Sequence, residues 1–273
     1  MAGASHFPSR PRVTKFVSPP FVPDRMECRD LAAAAAFPRR IPAPLPQLSL
    51  WQVELADPGH ARAIAAADCL CQTEQAHCAT LRQAADRRRF TGARVALRTV
   101  LAQWLDCAPS TLRLRTGSHG KPYVEAAGAP AFNVAHAGDY AWIALAEAGE
   151  VGVDIERIDP ALGQAEMHGI AAHCLTPRER AWLALLPAHA RPRAFFTLWT
   201  AKEALLKALG LGIADHLRHV SVMADGPGGA CRLAVLREPG QLAGHAAALA
   251  RMQLYRVAGP DGYAAAMAWV PPA

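Results

Sequence analysis

The sequence predicts an α+β fold, and three observations carry that prediction. Apolar residues recur at helical spacing over residues 61–104 and again over 166–209. Runs of strand-like segments accompany each helical stretch, and helices and antiparallel strands grouped in this way indicate α+β rather than a doubly wound sheet. The string Ala93-Arg94-x-Ala96-Leu97-x-x-x-Leu101 is echoed by Ala201-Lys202-x-Ala204-Leu205-x-x-x-Leu209. Two amphipathic helices of similar composition would give that echo. So would a duplicated α+β half dividing near residue 150.

The elements follow in order. Residues 1–47 carry prolines at 8, 11, 19, 20, 23, 38, 42, 44 and 46. That spacing disfavours a continuous helix or a central strand, so the segment is expected to be a disordered extension. Residues 48–55 alternate in part and predict a strand. Residues 61–104 predict helices, the second over 86–106, with Phe90, Ala93, Leu97, Val100, Leu101 and Trp104 on one face. Residues 112–115 are strand-like and lead into a turn at 117–122. Strands are expected at 131–134, 140–147 and 151–156, with turns at Gly138-Asp139 and Ala148-Gly149-Glu150. Helices are expected at 166–173, 177–186 and 193–209, the last stopped by Gly210. Strand-like runs close the chain at 220–223, 232–236, 253–257 and 263–269.

Composition narrows the function. Of 273 residues, 52% are apolar and 19% charged, which excludes wholesale disorder. The net charge of +6 is unevenly spread: +4 in residues 1–40, −2 in 41–61, +6 in 62–121 and −2 in 122–273. A binder of long nucleic acid spreads its positive surface more widely. A single basic segment suits a compact polyanion. Seven cysteines without a C-x-x-C pair fit free thiols in a reducing compartment. Cys69, Cys71, His77 and Cys78 have the wrong spacing for zinc. No apolar run approaches ~18 residues, and the N-terminus lacks a signal-peptide core. A cytoplasmic protein that engages neither membrane nor nucleic acid is expected.

The sharpest chemical feature is Val151-Gly152-Val153-Asp154-Ile155-Glu156. In a strand, Val151, Val153 and Ile155 face a core, while Gly152, Asp154 and Glu156 face the other way. Two carboxylates then share a face roughly 7 Å apart, with open space expected beside Gly152. Like charges so placed call for a cation or a proton between them, and hard oxygen ligands suit Mg²⁺. A plain solvent-facing strand would carry the same six residues. Further on, Glu203 and Lys207 share a helix face at i, i+4. They form either a surface ion pair or a third metal carboxylate beside a phosphate-binding lysine. Only four of the 29 basic residues are Lys, and two of them lie in this helix. His136 closes the strand Phe132-Asn133-Val134-Ala135-His136. With Lys121, Arg115 and the Arg87-Arg88-Arg89 cluster it would surround a phosphate-rich ligand.

Taken together, Gly120-Lys121-Pro122, Phe132 to His136, Gly152 to Glu156 and the run Trp199 to Gly210 resemble the surfactin-type 4′-phosphopantetheinyl transferases in order and in gaps. The resemblance covers residues 86–212. It implies two similar α+β halves related by pseudo-twofold symmetry, with the active site between them. Residues 48–150 would form the first half and 151–273 the second. It implies transfer of the 4′-phosphopantetheine arm of coenzyme A to a serine of an acyl or peptidyl carrier protein, releasing adenosine 3′,5′-bisphosphate, by a monomer. Asp154, Glu156 and Glu203 would hold Mg²⁺. Glu203, or Glu156 through a water, would be the base, and Lys207 would contact the pyrophosphate. Arg89, Arg115, Lys121, Pro122, Asn133 and His136 would bind coenzyme A. Val95 stands where the echo would place a counterpart of Glu203. Many relatives have Ser beside the motif His, where this chain has Ala135 and Ala137, so altered coenzyme A affinity is expected. The alternative is a catalytically weak or inactive relative that only binds coenzyme A or carrier proteins.

Overall fold

A computed structural model describes residues 37–57, 61, 64, 68–117, 120–212, 216–224, 232–237 and 241–273. The first half contributes β1 (Arg39–Ile41), β2 (Leu48–Glu54), α1 (Gln72–Thr80), α2 (Ala84–Leu105), β3 (Leu114–Thr116), β4 (Pro122–Val124), β5 (Ala131–Ala137) and β6 (Tyr140–Ala146). The second contributes β7 (Glu150–Arg157), α3 (Gln164–Cys174), α4 (Pro177–Leu185), α5 (Arg191–Leu209), β8 (Val220–Ala224), β9 (Arg232–Arg237), α6 (Ala246–Arg251), β10 (Gln253–Arg256) and β11 (Tyr263–Val270).

Two sheets organise the chain, in the orders β1-β2-β6-β5 and β7-β11-β10-β9-β8. In each half the opening long strand pairs antiparallel with the closing one, β2 with β6 and β7 with β11. The strand period of two then assigns every side chain to a layer. From β6, Ala141, Ile143 and Leu145 pack on Val95, Leu97 and Leu101 of α2. The alternate residues Trp142, Ala144 and Ala146 meet Val151, Val153 and Ile155 of β7 and Ala265, Met267 and Trp269 of β11. On the far side, Ala266 and Ala268 of β11 pack on Ala201, Ala204, Leu205 and Ala208 of α5. The order of layers is helix, sheet, sheet, helix, with three apolar cores. This is the expected α+β architecture of two similar halves.

The expectation for the N-terminal segment changes. Order begins before Leu48, because Phe37 is buried in the first-half core and β1 pairs with β2. Proline bars a central strand, but β1 is an edge strand, and its three residues precede Pro42. The rest of the expected extension, residues 1–36, lies outside the described residues. Among the described residues, no helix is long and apolar enough to cross a membrane.

Candidate active site at the seam between the halves

Strand β7 and helix α5 build the centre of the site. Val151, Val153 and Ile155 are buried between the sheets, so Gly152, Asp154 and Glu156 face α5. The open space expected beside Gly152 is filled. A Cβ there would overlap the carbonyl oxygen of Ala204 and lie 2.5 Å from the nitrogen of Ala208. The missing side chain lets the helix backbone rest directly on the strand. That contact brings Glu203 and Lys207, which precede Ala204 and Ala208, to Asp154 of β7.

Carboxylate oxygens of Asp154, Glu156 and Glu203 consequently lie within 4.8 Å of one another. Asp154 is only 3% exposed and Glu203 is buried. Lys207 Nζ donates to Asp154 Oδ1 at 2.6 Å and lies 3.4 Å from Glu203 Oε2. One ammonium pairs with two of the three carboxylates, and Asp154 Oδ2 is buried without a hydrogen-bond partner. Burial pushes the Asp154 carboxyl well above the usual range. Lys207 opposes that shift, while Glu203 and Glu156 add to it. For Lys207, burial alone would lower the pKa, but Asp154 and Glu203 outweigh it and raise it. A buried carboxylate oxygen with no donor, beside two more carboxylates, fits a hard divalent cation.

A groove of about 190 Å³ opens on the first-half side, lined by Phe90, Ala93, Arg94 and Leu97 of α2 with Pro122, Val134 and His136. The His136 ring is held below the ordinary histidine pKa, chiefly by burial of its inner face, with Lys207 and Arg89 contributing. Its own backbone hydrogen bond acts the other way. Arg94 sits over the Phe90 ring, 5.5 Å from the centroid. Its acidic neighbour Glu74, at 3.9 Å, is already engaged by Arg98 at 2.9 Å. Arg94 thus keeps a partly exposed guanidinium at the groove, with only a long ion pair to Glu74.

The structure brings together Asp154, Glu156, Glu203 and Lys207 in one cluster, and His136 and Pro122 in the groove. The other expected ligand residues have different surroundings. Asn133 is buried, and its Oδ1 accepts from Val153 N at 3.0 Å, tying β5 to β7. Lys121 Nζ pairs with Glu150 at 2.7 Å and donates to Val151 O and Ala208 O, bridging the seam at the end of α5. Arg89 donates to Gly138 O and to Asp86. Arg115 pairs with Glu125 across the exposed β3–β4 hairpin. Ala135 and Ala137 point into the inter-sheet core, on the face of β5 opposite the groove. Sequence reasoning missed Arg94 and Phe90 as groove residues. Their i, i+4 spacing on the helix that covers β5 was the available signal.

Family models fit both halves. Residues 56–148 match the N-terminal region of 4′-phosphopantetheinyl transferases, and residues 150–268 match the 4′-phosphopantetheinyl transferase superfamily. A Synechocystis protein named, provisionally, as a 4′-phosphopantetheinyl transferase is 41% identical over 137 residues, covering 50% of this chain and 54% of its own. The 4′-phosphopantetheinyl transferase HetI of Nostoc is 35% identical over 131 residues, covering 47% and 54%. A 4′-phosphopantetheinyl transferase of Bacillus subtilis is 30% identical over 127 residues, covering 46% and 54%. The chain spans about half the length of these curated relatives. The two models meet at the turn between β6 and β7, and the carboxylate cluster falls wholly within the second. The chain belongs to the 4′-phosphopantetheinyl transferase superfamily.

Proposed function

We propose that the chain transfers the 4′-phosphopantetheine moiety of coenzyme A to a serine hydroxyl of an apo acyl or peptidyl carrier protein, releasing adenosine 3′,5′-bisphosphate. The observation that carries this reading is the buried cluster of Asp154, Glu156 and Glu203 facing Lys207, with Asp154 Oδ2 unpartnered. In this reading residues 48–150 supply most of the phosphate contacts, and residues 151–273 supply the metal ligands and the catalytic groups.

Asp154, Glu156 and Glu203 would hold Mg²⁺. When bound, the cation neutralises charge on the pyrophosphate and on the departing oxygen. The chain's own residues do the rest. Glu203, or Glu156 through a water, accepts the serine proton. The serine oxygen then bonds to the phosphorus that bears the pantetheine arm, and the bond from that phosphorus to the bridging oxygen breaks. Lys207 offers its N–H groups to the phosphate that leaves. In the groove, Arg94 and His136 present nitrogen donors to a ligand phosphate, and Phe90, Leu97 and Val134 shield the contact from water. Phosphoryl transfer depends chiefly on such positioning and charge neutralisation. Lys121 is assigned to holding the seam, and reaches a ligand only by leaving Glu150.

The test is intact-mass spectrometry of a panel of apo carrier proteins incubated with the protein, coenzyme A and Mg²⁺. A phosphopantetheine mass addition on at least one carrier is expected. Coenzyme A binding without any mass addition across the panel would instead favour a non-catalytic member of the family.

A further inference from the structure

We propose that Lys202 is a positioning residue for the carboxylate cluster: its buried ion pair with Glu179 fixes α5 along its axis and so aims Glu203 and Lys207 at Asp154. The inference rests on the reading of that cluster as the centre of transfer.

Lys202 precedes Glu203 in α5, yet both Lys202 and Glu179 are 0% exposed, in the core beyond the site. The Glu179 carboxylate takes three donors: Lys202 Nζ, the backbone N–H of Thr176 at 2.8 Å and the backbone N–H of Val222 at 2.7 Å. Thr176 Oγ1 accepts from Glu179 N at 3.3 Å and shares a 2.7 Å hydrogen bond with Ser221 Oγ. One carboxylate thereby joins the start of α4, strand β8 and the middle of α5.

Stability alone accounts poorly for this arrangement. Two fully buried charges lose their hydration, and apolar residues of similar volume often serve as well or better. What apolar packing lacks is a unique register. At Gly152 the strand and the helix meet backbone to backbone, so no side chain there interlocks with α5. A shift by one residue moves a helix ~1.5 Å along its axis and turns it ~100°, enough to break the Lys207–Asp154 contact. The Glu179–Lys202 pair supplies the missing stop on the other side of the helix.

The first half contains a looser counterpart, in which the close buried partner is Arg98 rather than the residue equivalent to Lys202. Glu74, at the same third position of α1, closes a capping box with Cys71 and faces Arg94 and Arg98 of α2. Arg94 and Lys202 are equivalent in the sequence echo. The residue after Arg94 is Val95, whereas the residue after Lys202 is Glu203. Each half ties the third residue of a short helix to its long helix, and at this position only the second has a carboxylate to aim.

The decisive variant is Glu179→Gln/Lys202→Met, which removes both charges and keeps a carbonyl oxygen for Val222 N. Two quantities are read: the Mn²⁺ concentration at half-maximal thermal stabilisation, without coenzyme A or carrier, and kcat against KM for coenzyme A. The expected result is a folded protein with a cation midpoint about tenfold higher, kcat lower by about tenfold or more, and KM within about twofold. An unchanged midpoint and kcat overturn the proposal. So does a raised KM at constant kcat, which would put Lys202 on the ligand instead. Glu179→Asp pulls the carboxylate back by one methylene and loosens the pair, and decides the matter if the double variant does not fold. Its midpoint should rise by less, and a midpoint equal to wild type overturns the proposal. A wild-type protein that binds Mn²⁺ but transfers nothing counts against the transferase reading, while the cation midpoint still decides the positioning claim.

Discussion

At Gly152 a single methyl group separates a working site from a spoiled one. Gly152→Ala would drive a Cβ into the backbone of Ala204 and Ala208, neither of which can rotate away. The expected cost is about 1–3 kcal/mol, with α5 displaced and transfer lost well below the unfolding temperature; melting and activity curves on one preparation check it. Alternation along β7 made the shared face of Asp154 and Glu156 legible in the sequence. What lay across from that face was not, because a glycine reads equally as open space or as close approach. The same limit applied to Asn133 and Lys121. Their residue types suit phosphate contacts, but the strand parity of β5 turns Asn133 to Val153, and Lys121 reaches across the seam to Glu150. His136 carries a pH signature. Its folded pKa lies below 6.5, so as pH falls through about 6.5 the unfolded chain takes up the proton first. Stability should therefore decline from that pH down to the folded pKa and level off below it. His136→Gln should flatten that part of the curve of melting temperature against pH, and an unchanged curve would contradict the assignment.

At the scale of elements, periodicity located nearly every helix and strand. The expected 193–209 helix is α5 at Arg191–Leu209, and 151–156 is the core of β7. The elements missed were short ones: β1, because proline rules out a central strand but not a short edge strand, and β4 and α6, which are three and six residues long. The echo between α2 and α5 corresponds to a structural repeat in which Glu74 and Glu179 each pair with the long helix, Glu74 closely with Arg98 and at 3.9 Å with Arg94, Glu179 with Lys202. The two helices differ at Val95, which is fully buried, against Glu203 at the seam. Val95→Glu would place an uncompensated carboxylate in the first-half core. A loss of roughly 3–5 kcal/mol is expected in denaturant unfolding, with no gain of a second cation site. Helix α2 has instead become a groove wall. Arg94→Ala should raise KM for coenzyme A roughly tenfold and leave kcat nearly unchanged, as loss of one charged hydrogen bond would. A fall in kcat at constant KM would remove Arg94 from the ligand.

For the whole molecule, the uneven charge of the sequence becomes a spatial division. The basic first half turns Arg94 and His136 toward the groove, and the second half supplies the three carboxylates. Three carboxyl groups are held near one lysine because the inter-sheet core fixes β7, and β7 fixes α5. A divalent cation should relieve the excess charge. Mg²⁺ at about 100 times its dissociation constant would add ~2.7 kcal/mol to folding stability, read as a rise in melting temperature that Asp154→Asn abolishes. The central claim is that these three carboxylates work as one centre for transfer. It is tested most directly by intact-mass spectrometry of one apo carrier protein incubated with coenzyme A and Mg²⁺, comparing wild type with folded Glu203→Ala. The account predicts a phosphopantetheine mass addition with wild type, none with Glu203→Ala, and none with wild type in excess chelator. Full conversion by Glu203→Ala, or by wild type in chelator, would contradict it.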